Sequence, residues 1–260
     1  MSGPDAVRES WTGTGTSSDH QRRPRVHDET PAIQAGKGRR TAHSHPSTRR
    51  ELCADRLRSR SSVGLSLEGM ARDIAEIIDG NFKKPACLMG ISYGGVVATQ
   101  VAARYPGHVG KLILLASAHG FSADGKERLQ RQIRLAKAGQ FHALLAEFTT
   151  VFRRPWLNLF LRLRLRFEGR RLIERMGAPG SIVRYLEATL DNEVAKEDLR
   201  NISARTLILG GEKDQFFGGG MMEATASAIS GAKLIVLDEE THMAPVERVS
   251  DVRKHLQEFI

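Results

Sequence analysis

Ser92 lies in the run Gly90-Ile91-Ser92-Tyr93-Gly94, where an apolar stretch typical of a strand gives way to a helical pattern. A serine hydroxyl is a weak nucleophile near neutral pH, so it needs an adjacent base and a geometry that presents its oxygen. Glycines permit the sharp turn and the close approach of strand and helix that this presentation requires. The run predicts a nucleophilic serine, although an ordinary turn or a phosphate-binding loop is compatible with the same sequence.

An acid and a base follow the serine in the chain order that such a nucleophile requires. Asp214 comes just after the apolar run 206–209, and His242 comes shortly after the apolar run 234–237. A histidine can take the serine proton and return it to the leaving group, while an aspartate fixes the imidazole tautomer. Plainer interpretations stay open: a capping or turn acid for Asp214, with Glu212 as its rival, and a solvated loop histidine for His242.

The backbone amide of Tyr93 is the expected oxyanion donor. It lies at the start of the helix that follows Ser92, where the helix dipole and the free N–H groups favour a developing negative charge.

We predict no metal and no cofactor, because the most closely spaced histidines, His43 and His45, lack acid or cysteine partners at ligand spacing. A dinucleotide-binding fingerprint is also missing from the sequence.

Four short apolar runs bounded by Gly, Lys or Asp indicate buried strands with helices between them. The predicted strands are 85–89, 112–116, 206–209 and 234–237. Ser66 is a plausible N-cap for a helix that begins at Leu67 and stops near Gly80, and an apolar stripe from Val246 to Ile260 predicts a terminal helix. Strands that alternate with helices predict an α/β fold with a mostly parallel sheet.

Three regions follow from these patterns. Residues 1–62 are rich in Arg, Ser, Thr, His and Gly without periodicity, so we interpret them as disordered or foreign to the fold. Residues 63–120 and 200–260 hold the strands and form the expected core. Residues 121–199 carry amphipathic helical segments around 129–135, 141–152 and 182–190, which predict a helical cap over one end of the sheet.

The composition limits the classes of partner. The net charge of +9 comes mostly from the stretch 153–184, where nine arginines face two glutamates. A solvated arginine face is favoured there over a carboxylate site or an anionic membrane surface. Only Cys53 and Cys87 occur, and Cys87 is expected to be a small buried hydrophobe rather than a disulfide partner. No apolar window approaches a membrane span, which predicts a cytoplasmic protein.

From about Leu65 to Ile260 the chain resembles the α/β-hydrolase superfamily, in the capped form typical of bacterial esterases and lactonases. The motifs that carry the resemblance are GISYGG at 90–95, AARYPGHVGKLILLAS at 102–117, TLILGGEKD at 206–214 and THMAPVE at 241–247. The resemblance implies a hydrolase with Ser92 as nucleophile, His242 as base and Asp214 as its acid partner. A serine at this position argues against the family's epoxide hydrolases and haloalkane dehalogenases, which use an aspartate.

The N-terminal part departs from the family, which opens with several strands and a His-Gly-type loop that supplies a second oxyanion amide. His119-Gly120 matches the motif in sequence, but it follows the strand after the nucleophile helix, which is the wrong place in the topology. At Asp55 to Ser62, Arg58 and Arg60 stand where glycines are expected. Divergence and a frame or start-site error both explain this, and the abrupt change near residue 63 favours the second. We therefore expect an uncovered sheet face or edge and a weakened oxyanion hole.

The sequence thus predicts a serine hydrolase that cleaves a small ester, thioester or lactone through a Ser-His-Asp triad and an acyl-enzyme, with activity impaired by the missing loop. The alternative is a non-catalytic protein of the same fold that binds a ligand or a partner. A nucleic-acid partner is not expected, because only the charge suggests it and no recognition motif supports it. The oligomeric state is left open.

Overall fold

The computed structural model describes residues 7–11, 66–175 and 179–260, which all belong to one compact unit. The described strands are β1 (Val7–Trp11), β2 (Ala86–Ile91), β3 (Val109–Leu115), β4 (Arg205–Gly211) and β5 (Lys233–Leu237). They form a sheet in the order β1-β5-β4-β3-β2. The strands from β2 to β5 pair in parallel, and β1 pairs antiparallel with β5. The prediction of an α/β fold with a mostly parallel sheet is confirmed.

Helices connect the strands. They are α1 (Leu67–Asn81), α2 (Tyr93–Arg104), α3 (Ala123–Lys137), α4 (Phe141–Glu147), α5 (Pro155–Arg175), α6 (Pro179–Asp191), α7 (Lys196–Leu199), α8 (Met221–Ala228), α9 (Ala244–Glu247) and α10 (Val249–Phe259). A short 3-10 helix, Phe148–Thr150, follows α4. Between β3 and β4 the described chain is helical, as the amphipathic segments of that region predict.

The four predicted strands are present, and β1 is an addition that the composition of residues 1–62 did not predict. Its residues pair with β5 from Val7 opposite Leu237 to Trp11 opposite Lys233. This strand covers five residues of the segment that the sequence indicated to be disordered or foreign to the fold. The rest of that segment, including His43, His45 and the run 55–62, lies outside the described residues.

The two faces of the sheet bury different sets of side chains, because successive residues of a strand point to opposite sides. One face packs under α1, α2 and the helices after β3, with Leu112, Leu114 and Ile208 in its core. The other face packs against α10, where Ile113 and Leu207 contact helix residues such as Val252 and Phe259 in the same cluster. Both faces are covered at the central strands, as expected for a parallel sheet.

Strand β2 forms one edge of the described sheet, and one of its faces is open. Met89 and Ile91 are each about half exposed, and Cys87 is an exposed free cysteine. The prediction that Cys87 is buried is therefore wrong, because the apolar run does not reveal that its strand lies at the edge.

Helix α1 begins as its sequence predicts. The Ser66 side chain accepts a hydrogen bond of 3.1 Å from the amide of Gly69, which satisfies one of the free amides of the first turn. The helix runs on to Asn81, one residue past the predicted stop at Gly80. Among the described helices, none is both long enough and apolar enough to cross a membrane.

Candidate active site

Ser92 lies on a strained turn between β2 and α2. Its φ of 53° and ψ of −132° fall where residues with a side chain are rare, at a cost on the order of 1–3 kcal/mol. The Ser92 amide donates to the carbonyl of Leu115 on the neighbouring strand over 3.0 Å, which fixes the turn to the sheet. A methyl group at Gly90 would lie 2.4 Å from the Gly94 carbonyl oxygen, so this position needs glycine.

The structure brings together the three side chains that the sequence singles out. The Nε2 atom of His242 lies 3.0 Å from the Oγ of Ser92. On the other side of the ring, Nδ1 lies 2.9 Å and 3.1 Å from the two carboxylate oxygens of Asp214. With the proton on Nδ1, the imidazole donates to the carboxylate and presents a free lone pair to the serine hydroxyl.

Asp214 is held in place by the turn that follows β4. Its side chain is fully buried, and its Oδ1 accepts hydrogen bonds from the amides of Phe216 at 2.8 Å and Phe217 at 3.0 Å. These bonds orient the carboxylate toward the histidine. Glu212, the rival acid, is exposed and accepts a bond from the amide of Glu239 instead.

Two aromatic rings confine the imidazole of His242. The Phe216 ring meets it edge-on with centroids 4.8 Å apart, and the Phe217 ring stacks on it at 5.8 Å. The side chain of Gln215 accepts a hydrogen bond from the His242 amide. These residues were not identified from the sequence, although the two phenylalanines lie only two and three positions after Asp214.

Tyr93 contributes both its backbone and its ring. As the first residue of α2, its amide is one of the helix amides that lack an intrahelical acceptor. Its ring stacks with Phe121 and meets Tyr185 edge-on, and its hydroxyl accepts a hydrogen bond of 2.7 Å from Asn192. Burial raises the pKa of the phenol to about 12, although the Asn192 hydrogen bond opposes this shift.

Ser92 and His242 open into a cavity of about 680 Å³, and its wall is mostly apolar. The lining residues come from the sheet edge and from the helices after β3: Ser92, Tyr93, Phe121, Leu129, Gln132, Leu145, Phe148, Thr149, Val151, Phe152, Leu161, Leu165, Leu172, Tyr185, Leu186, Thr189, Phe216, His242 and Met243. Lys, Arg, Asp and Glu are absent from the described lining. A cavity of this size suits a small organic molecule.

Helix α5 has apolar side chains on both of its faces. Leu161, Leu165 and Leu172 line the cavity, as expected for a cap segment that turns an apolar side toward the site. On the outer side, Trp156 and Phe167 are 61% and 85% exposed, together with Leu159, Phe160 and Leu163. The favoured solvated arginine face also carries apolar residues, which alternate with the exposed Arg162, Arg164 and Arg166.

The loop that carries His242 is tied to the segment before α5. Glu240 is fully buried, and its Oε1 accepts hydrogen bonds from Arg153 at 2.6 Å and Arg248 at 3.2 Å. The hydroxyl of Thr241 donates to the carbonyl of Val151 over 2.7 Å. These contacts join the histidine loop to the roof of the cavity.

His119, which its position in the chain excluded as an oxyanion residue, packs in the interior beside Thr225. It is buried, and its Nδ1 lies 2.8 Å from the Oγ1 of Thr225 on α8. Burial lowers its pKa, with Glu193 opposing the shift. Within the described ranges, no group of three His, Cys, Asp or Glu side chains is arranged to hold a metal ion.

A comparison with known families identifies the fold. The model of the α/β hydrolase fold matches residues 13–249 of the chain. The chain belongs to the α/β-hydrolase fold family. The matched range starts earlier than the resemblance at about Leu65 that the motifs carry, and so it extends into the segment 1–62. The structure of most of that segment lies outside the described residues.

Two curated relatives of this α/β hydrolase are named after ester substrates. The chain is 27% identical to monoacylglycerol lipase abhd6-B of Xenopus laevis, over 78% of this chain and 63% of that protein. It is 28% identical to the pimeloyl-[acyl-carrier protein] methyl ester esterase of Neisseria meningitidis serogroup A, over 65% of this chain and 54% of that protein. The matches span less than two thirds of either relative.

Solved structures support the same fold. An α/β hydrolase enzyme from a Medee basin deep-sea metagenome library superposes with a TM-score of 0.65 at 18% identity. The match covers 76% of this chain and 73% of that one. At this level of identity the likeness supports the fold alone.

Proposed function

We propose that this protein is a serine hydrolase that cleaves a small, largely apolar carboxylic ester, thioester or lactone. One observation carries the proposal: the hydrogen-bonded chain from Asp214 through His242 to Ser92 opens into an apolar cavity. Each contact has the length and order that nucleophilic catalysis by serine requires. The names of the two curated relatives, a lipase and a methyl ester esterase, agree with an ester substrate.

Acylation follows from these contacts. As the Ser92 Oγ attacks the substrate carbonyl carbon, its proton passes to His242 Nε2, and Asp214 stabilises the imidazolium that forms. The carbonyl oxygen becomes an oxyanion, which the Tyr93 amide stabilises. Collapse of this intermediate breaks the bond to the leaving alcohol, thiol or ring oxygen. His242 donates its proton to that leaving group, and the acyl group stays on Ser92.

Deacylation reverses these roles with water as the nucleophile. His242 takes a proton from the water as its oxygen attacks the acyl carbon, and the proton then returns to the Ser92 oxygen. The products are a carboxylic acid and an alcohol or a thiol, or a hydroxy acid from a lactone. The rings of Phe216 and Phe217 hold the imidazole in position through both steps.

The rate depends on how the oxyanion is held. A site with one oxyanion amide in place of two loses on the order of a hundredfold or more in kcat. The early loop that supplies the second amide in this family has no counterpart in the sequence motifs of residues 1–62, and that segment falls outside the described residues except for β1. We therefore expect slow turnover of ordinary esters.

Hydrolysis of p-nitrophenyl esters of increasing acyl length tests the proposal. The purified chain should release p-nitrophenol, and Ser92→Ala should reduce the release to the uncatalysed rate. Ser227→Ala is the matched control, because this exposed serine of α8 lies outside the cavity lining. Hydrolysis that survives Ser92→Ala, or none with any ester, would contradict the proposal. Ligand binding without turnover would favour the non-catalytic alternative.

A further inference from the structure

Gln132 is a buried polar residue in the otherwise apolar wall of the cavity. It lies on α3, is 1% exposed, and lines the same cavity as Ser92. Its Nε2 is buried without a hydrogen-bond partner. A buried donor left unpaired costs about 1–3 kcal/mol, so such groups are rare unless a ligand or water pairs with them.

The two threonines of that wall pair with backbone carbonyls rather than with Gln132. The hydroxyl of Thr149 donates to the Ala146 carbonyl, and the hydroxyl of Thr189 donates to the Tyr185 carbonyl. Both bonds lie within their own helical turns. The amide of Gln132 is thus left to pair with whatever fills the cavity.

The surroundings define the chemistry of that partner. The described lining holds no Lys or Arg, and Arg128, one turn earlier on α3, lies over the Phe216 ring and contacts Glu147. A carboxylate buried beside Gln132 would therefore be costly to desolvate. A neutral oxygen avoids this cost and accepts a hydrogen bond from the amide N–H. Hydroxyl and keto oxygens meet the requirement, and a plain alkyl chain does not.

We propose that Gln132 is a specificity-determining residue that hydrogen-bonds a neutral hydroxyl or keto oxygen on the substrate, away from the carbonyl that Ser92 attacks. The preferred substrate is then an oxygenated acyl or alkyl ester rather than a plain one. This inference rests on the proposed function, because it assigns a substrate class to the same site.

Binding to Ser92→Ala protein tests the inference without turnover. The probes are a methyl alkanoate and a series of its analogues that carry one keto group at successive carbons, measured by titration calorimetry. At least one keto position should bind about tenfold more tightly than the plain ester, the effect of one added hydrogen bond. Equal affinity across the whole series would overturn the inference, and this arm needs no change at Gln132.

A second arm assigns the preference to Gln132. In the Ser92→Ala background, Gln132→Met keeps a similar side-chain volume and removes the amide, so the affinity ratio should fall from about ten to about one. Gln130→Met is the matched control, because it makes the same exchange at an exposed position of the same helix outside the cavity lining, and it should keep the ratio. A ratio that survives Gln132→Met would overturn the assignment, and Gln132→Leu serves the same purpose if the first variant does not fold.

The two proposals fail separately. A retained keto preference in Ser92→Ala protein, together with no hydrolysis of any ester by the unmodified chain, would contradict the hydrolase and leave the Gln132 subsite standing. Hydrolysis with no keto preference would contradict the Gln132 subsite and leave the hydrolase proposal standing.

Discussion

The Nε2 atom of His242 lies 3.0 Å from the Oγ of Ser92, although the two residues are 150 positions apart in the chain. The sheet explains this proximity. Ser92 follows β2, Asp214 follows β4 and His242 follows β5, and these strands run parallel within one sheet. Their carboxyl ends therefore meet at one edge, where ligands bind in open α/β sheets.

Replacement of the acid separates Asp214 from its rival. Asp214→Asn should lower kcat by about 10⁴-fold, because the amide no longer holds the imidazole in the required tautomer. Glu212→Gln is the matched control and should leave kcat near its starting value, since that side chain is exposed. Steady-state kinetics on the best p-nitrophenyl ester checks both. The assignment is wrong if the two variants lose activity equally.

Gly95 and Gly94 form a second matched pair. A methyl group at Gly95 would lie 2.2 Å from the Oγ of Ser117, whereas one at Gly94 would meet nothing within 4 Å. We expect Gly95→Ala to lower the free energy of unfolding by about 1–3 kcal/mol. Gly94→Ala should leave it unchanged or raise it slightly, since alanine favours helix. Urea unfolding measures both, and equal effects would contradict the close packing of α2 on β3.

Tyr93 should titrate unusually late. Burial raises the pKa of its phenol from 10.0 to about 12, so the folded state favours the neutral form more than the unfolded chain does. The resulting stability is present in full below pH 10 and is lost as the pH rises toward 12. Phenolate absorbance should contain a late component that is missing in Tyr93→Phe. A titration with a single midpoint near pH 10 in the folded protein would refute this environment.

Glu240 should stabilise the protein by joining the histidine loop to the segment before α5. Its buried carboxylate bonds Arg153 and Arg248, so Glu240→Gln should lower the free energy of unfolding by about 1–3 kcal/mol. The exposed pair of Lys213 and Glu239 is the control, and Glu239→Gln should cost less than about 1 kcal/mol. Chemical denaturation compares the two. Equal small losses would indicate that the buried contacts contribute little.

Much of the site could be predicted from the sequence because its residues follow strands with mostly apolar side chains. Such strands appear as continuous apolar runs, and the residue after each run is placed by the sheet. The serine turn was recognisable because the close packing of Gly90 against Gly94 requires a glycine, which the sequence displays. These features depend on local spacing, which a single sequence contains.

Other features depend on neighbours that spacing does not specify. The apolar run around Cys87 looks buried, yet the order of strands puts β2 at an edge. Strand β1 has a polar composition, so its pairing with β5 left no apolar signal. Gln132 differs from other polar residues only through its burial and its missing partner, which depend on how α3 packs over the site.

Labelling with a fluorophosphonate probe, followed by mass spectrometry of the modified peptide, tests the central claim most directly. The probe reacts with a serine only when a base activates it. We predict that the unmodified chain is labelled at Ser92, that Ser92→Ala is not labelled, and that His242→Asn is labelled far more slowly, while Ser227→Ala behaves as the unmodified chain. A folded chain that resists the probe, or one that is labelled at another serine, would contradict the account.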